Sequence, residues 1–122
     1  MTMNETPTGS TLISADRVEG TPVFSPNGDR LGHVEDVMLH KMSGKVAYAV
    51  ISCGGFLGMG EKYHPIPWSL LNYDTDKNGY VLPVEPKQLR EGRSFGREDL
   101  TSDDSDWRGE VHTHYNAPAY WM

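Results

Sequence analysis

The sequence has a single cysteine, Cys53, among 122 residues, which excludes an intrachain disulfide framework. No apolar run approaches the roughly 20 residues of a membrane-spanning helix, so no membrane insertion is expected. Lys and Arg form no cluster that could track a phosphate backbone, and with 17 acidic against 11 basic residues the formal net charge is −6. A direct nucleic-acid partner is therefore not expected. Residues 1–14 have neither the basic start nor the apolar stretch of a signal peptide, which leaves the cytoplasm as the expected compartment. Apolar residues make up only 37% of the chain, so part of it is expected to lie outside any core, and the length suits one domain.

What is present reads as a series of short strands. Thr21–Ser25 is a short apolar stretch, and Pro26, Asn27, Gly28 and Asp29 after it are the residues of a tight turn. Leu31–His40 continues as a strand whose apolar positions change face near Glu35 and Asp36, as a bulge would make them do. After a turn at Ser43 and Gly44, Val46–Cys53 is nearly all apolar and rich in β-formers, the signature of a central strand packed on two sides. Four glycines between 54 and 60 then frame a loop carrying Phe56, Leu57 and Met59, three apolar residues at an expected surface position. Tyr63–Pro67 resumes as a strand, Pro67 opens a single helical turn through Leu71, and Asp74–Gly79 turns the chain into a last strand, Tyr80–Val84. Pro86–Glu91 is expected as a short closing helix, with Pro at its start and Gly92 at its end. The expected organisation is a flexible leader over 1–14, one domain over 15–95 and a tail over 96–122, acidic at first and then aromatic.

Three pieces in this order resemble a known family. They are Asn27-Gly28-Asp29 leading to Leu31-Gly32-His33-Val34-Glu35-Asp36-Val37, then Ser43-Gly44-Lys45 leading to Val46-Ala47-Tyr48-Ala49-Val50-Ile51, and finally His64-Pro65-Ile66-Pro67-Trp68-Ser69-Leu70-Leu71. The run Thr21–Val84 that contains them resembles the PRC-barrel domain. That domain takes its name from the cytoplasmic domain of the photosynthetic reaction centre H subunit and also ends a bacterial ribosome maturation factor. The resemblance implies a small β-barrel; with the strands, helix and tail read above, the expected fold is an all-β barrel of five to six strands with a short closing helix and, outside the resemblance, an extended C-terminal tail. The resemblance also implies an adaptor or assembly role without shared catalytic residues or a cofactor.

Four motifs invite chemical readings. Asp74, Asp76, Asn78 and Glu85 stand at positions 1, 3, 5 and 12 of a calcium-loop pattern with Gly79 at position 6. Pro83, however, falls where the exit helix would begin, and the same residues make a hairpin turn. The glycine spacing of Gly55–Gly60 suggests a phosphate loop, but Glu61 replaces the required lysine and would repel phosphate. Cys53 and His64 could form a nucleophile and base, yet a thiol ending an apolar strand keeps a high pKa, so core packing is the reading adopted. His112 and His114 would point the same way on an extended tail and could share a metal, although two ligands do not make a site.

Tyr115, Tyr120 and Trp121 complete the set, because rings of this kind are costly to leave in water and are enriched at interfaces. The resulting expectation is a non-enzymatic, protein-binding or assembly module. Its partner would be a second copy of itself or a larger complex, contacted through Phe56, Leu57, Met59, Tyr115, Tyr120 and Trp121. The alternative is a metal-binding protein using the Asp74–Glu85 loop or the His112 and His114 pair.

Overall fold

The computed structural model describes residues 12–53, 62–95 and 107–118. Its elements are α1 (Ala15–Val18), β1 (Pro22–Phe24), β2 (Arg30–Leu39), β3 (Val46–Cys53), β4 (Lys62–Pro67), a 3-10 turn (Trp68–Leu70), β5 (Asn72–Asp74), β6 (Gly79–Val81), α2 (Pro86–Glu91) and α3 (Trp107–His114). The strands form one six-stranded sheet in the order β4-β3-β2-β1-β6-β5. All neighbours are antiparallel except β1 and β6, which pair parallel through Val23 with Tyr80 and Phe24 with Val81.

The local signals explain the centre of this sheet. Gly28 adopts a φ of 92° between β1 and β2, a conformation that favours glycine, and the backbone N–H of Ser25 donates to the Asp29 carbonyl to close the turn. The β2–β3 ladder shifts register between Val34 and Asp36, which leaves Glu35 as the extra residue of a bulge. In β3, Ala47 to Ser52 are all buried, as expected of a strand covered on both faces. Gly32 lies so close to the Ser52 carbonyl that any Cβ there would collide with backbone.

The core gathers Val23, Val34, Ala49, Ile51, Ile66, Tyr80, Leu82 and Leu89, with the aromatic rings of Tyr48 and Trp107 joined to it. Tyr80 meets Trp68 edge-on at 5.4 Å, so the 3-10 turn after β4 packs onto β6. The last strand is shorter than Tyr80–Val84. After Val81 the backbone N–H of Leu82 still donates to the Phe24 carbonyl, but Pro83 has no N–H to extend the ladder and the N–H of Val84 turns back onto Leu82.

The expectation of a closed all-β barrel is overturned. The sheet is mixed and open, with β4 and β5 as its unjoined ends. Its outer β4 edge is already taken, since Tyr63 and Phe95 exchange both backbone hydrogen bonds, at 3.4 and 2.9 Å. Those Tyr63 groups are therefore not offered to β5, and the 3-10 turn links the end of β4 to β5 along the chain. The extended tail is corrected as well. Trp107–His114 is a helix that lies against β4 and buries Trp107, Val111 and His112.

Candidate functional site

Six of the expected contact or metal positions fall in two places: His112, His114 and Tyr115 in helix α3 and the turn after it, and Asp74, Asp76 and Asn78 at the β5–β6 turn. Tyr115 is buried within the chain, its hydroxyl close beside Gly92, and burial pushes its pKa well above the usual phenol value. His112 is buried too. Its Nδ1 lies 3.3 Å from the Ala117 carbonyl, which can only accept, so Nδ1 carries the proton and Nε2 accepts from the Tyr48 hydroxyl at 2.7 Å. His114 points elsewhere. Its Nε2–H donates to the Gln88 carbonyl at 2.8 Å while the Gln88 amide donates to the His114 carbonyl at 3.2 Å, a reciprocal pair that clamps α3 to α2. The helix therefore separates two histidines that an extended tail would have aligned.

The Asp74 motif is a polar turn. One carboxylate oxygen of Asp74 accepts from the backbone N–H groups of Asp76 and Lys77 at 2.9 and 3.2 Å, and Asn78 takes a φ of 51°. Glu85 instead precedes α2 as its N-terminal cap residue. Among the described residues no three His, Cys, Asp or Glu side chains gather as a metal site. Phe56, Leu57, Met59, Tyr120 and Trp121 lie outside the described residues.

The structure does bring Cys53 and His64 to one place, a groove of about 610 Å³. Cys53 pairs with Lys62 across the β3–β4 ladder, and Lys62 and His64 are two apart on β4, so all three occupy one face of the sheet. Asp29 reaches the groove from the β1–β2 turn, Arg30 and Leu31 from β2, and Pro86, Leu89 and Arg90 from α2. The floor is apolar and buried at Leu89, while Arg30, Lys62 and Arg90 stand exposed at the rim.

Burial disfavours the charged form of both groups. Burial pushes the Cys53 thiol up, with nearby Arg90 opposing the shift, so the sulfur keeps its proton. Burial holds His64 below the ordinary imidazole value, against a hydrogen bond to the Arg93 backbone that favours the charged ring, and Lys62 and His114 add to the lowering. His64 Nδ1 has no hydrogen-bond partner among the described residues, so it does not hold the Cys53 thiol as a base holds its nucleophile. The sequence singled out Cys53 and His64 but missed Arg30, Lys62 and Arg90, which are single cations at polar positions and carry no local motif.

Comparison with curated proteins gave no match. Comparison with protein families matched the PRC-barrel domain over residues 10–89, a span that takes in every strand and most of α2. No described helix is long and apolar enough to cross a membrane. PRC-barrel domains are non-catalytic modules. With two thirds of its length under that match, the chain belongs to the PRC-barrel domain family and is a protein-interaction module of that kind.

Proposed function

We propose that this chain is a cytoplasmic assembly module whose partner is a second copy of itself, and that the outer half of the β2–β3 hairpin makes the contact. The observation that carries this reading is the exposure of Leu39 and Met42, at 57% and 90%, at the tip of the β2–β3 hairpin. β1 pairs with β2 only from Arg30 to His33, so from Asp36 to Leu39 β2 has β3 as its sole strand partner among the described residues. An arm with an unpaired edge and apolar residues at its end is a template for another chain. Two copies related by a twofold axis can pair these edges and bury Leu39 and Met42 in one self-complementary contact. Phe56, Leu57, Met59, Tyr120 and Trp121 are proposed as further contacts on their apolar character, toward the second copy or a larger complex.

Sedimentation equilibrium on the full chain tests the reading. The expected result is a concentration-dependent dimer that the double variant Leu39→Asp, Met42→Asp converts to monomer with its melting temperature retained. A wild-type chain that stays monomeric at high concentration overturns it.

A further inference from the structure

The groove over β3, β4 and α2 has no role in that contact. It opens at the Cys53–Lys62 end of the hairpin strands, whereas the arm is at the Leu39–Val46 end. We propose that this groove is a binding site for a small organic anion, with a carboxylate head held by Arg30, Lys62 and Arg90 and an apolar body lying on Leu31, Pro86 and Leu89.

Size and shape come first. A volume of about 610 Å³ lies within the about 300–1,000 Å³ of small-molecule sites, which are apolar clefts with a few converging polar groups. Charge comes second. The chain is acidic overall, yet three of its 11 Lys and Arg residues meet at this one groove, where among the described residues they face a single carboxylate, Asp29. Among the described residues none of the three makes an ion pair with a carboxylate: Arg30 donates to the Gly32 carbonyl, at 3.3 Å, and the ion pairs lie at His33, Lys87 and Arg93. Cations left unpaired around an apolar floor match a ligand that is charged at one end and greasy along its length.

The third observation is independent of both. His64 lines the groove at 2% exposure, and its Nδ1 has no hydrogen-bond partner among the described residues. Buried polar atoms in folded proteins are nearly always partnered, and an orphan in the wall of a cleft marks a place where a ligand atom or its hydration water completes the bonding. Cys53 contributes bulk and a weak polar surface to the same wall, not a reactive sulfur.

The test is a titration of the uniformly labelled full chain with sodium octanoate, followed by amide and side-chain NMR shifts. Octylammonium, of the same length and opposite charge, serves as the control. Saturable octanoate shifts confined to Leu31, Lys62, His64, Leu89 and Arg90 are expected, with none from octylammonium. Replacing two of the three cations, Lys62→Gln with Arg90→Gln, is expected to weaken octanoate by about tenfold or more while the rest of the spectrum stays that of the folded chain. Absence of saturable octanoate shifts overturns the proposal. So does equal binding of the two octyl compounds, or unchanged octanoate affinity in the double variant. The titration reads the groove whether the chain is monomer or dimer, so its outcome is separate from that of the sedimentation experiment.

Discussion

At the β4 edge, Tyr63 exchanges both backbone hydrogen bonds with Phe95, Phe95 meets Trp107 at 5.7 Å, and Trp107 in turn meets Tyr48 edge-on at 4.9 Å. At the β5 edge, Asn72 and Tyr73 are exposed, the strand is three residues long, and a turn built on Asp74 and Asn78 ends it. Both edges face the same hazard, a row of unpaired backbone groups open to any passing strand. The first is protected by covering, with residues that come from far along the chain. The second is protected by being too short and too polar to serve as a template. Covering binds the edge into the core, so damage there spreads, whereas shortness costs almost nothing to perturb.

The sharpest way to break the comparison is Trp107→Ala. It removes the ring that ties α3 to Phe95 and Tyr48 and is expected to lower stability by about 3–5 kcal/mol, as for other buried aromatic truncations. An unaltered denaturation midpoint would show that the β4 edge does not depend on its cover. Next comes pH, acting on His64 of the same β4 strand. Burial lowers its pKa in the folded chain, so the unfolded chain takes up this proton first as pH falls. Its contribution is therefore fully present above about 6.5, the unfolded imidazole value, and is lost as pH drops toward the folded value. Denaturation midpoints measured across that window are expected to fall more steeply for the wild type than for His64→Gln, and parallel curves would contradict the assignment. The smallest effect belongs to the β5 edge. Asp74→Ala removes one carboxylate from two backbone N–H groups at an exposed turn and is expected to cost about 1 kcal/mol. Calcium is expected to leave the melting temperature of the wild type unchanged, and a calcium-dependent rise absent from this variant would restore the metal reading of the turn.

The parts of this fold that the sequence made legible are those with short-range causes. The turn at Gly28, the bulge at Glu35, the doubly buried β3, the 3-10 turn after Pro67 and the helix from Pro86 each follow from residues within a few positions of one another. Helix α3 was hidden behind the acidic stretch that precedes it, although Trp107, Val111 and Tyr115 recur every four residues and supply the helical period. Barrel closure could not be read at all, because it depends on whether Tyr63 spends its outward hydrogen bonds on β5 or on Phe95, a choice made by distant chain. The groove divides in the same way. Cys53 and His64 drew notice as chemical types, while the three cations beside them come from separate segments and meet only once β2, β3, β4 and α2 are assembled.

The parallel pairing of β1 with β6 has a consequence for the order in which this molecule forms. β2, β3 and β4 follow one another in the chain and pair with sequence neighbours, so their ladders close small loops at little entropic cost. The Val23–Tyr80 pairing is different, because it closes a loop holding that whole meander and must wait until β6 has been synthesised. By that difference in loop closure the three-stranded meander, with β1 on β2, is expected to form first, leaving the far side of β1 open until β6 pairs with it. That interval, rather than the finished structure, is when this strand is most open to pairing with the wrong chain.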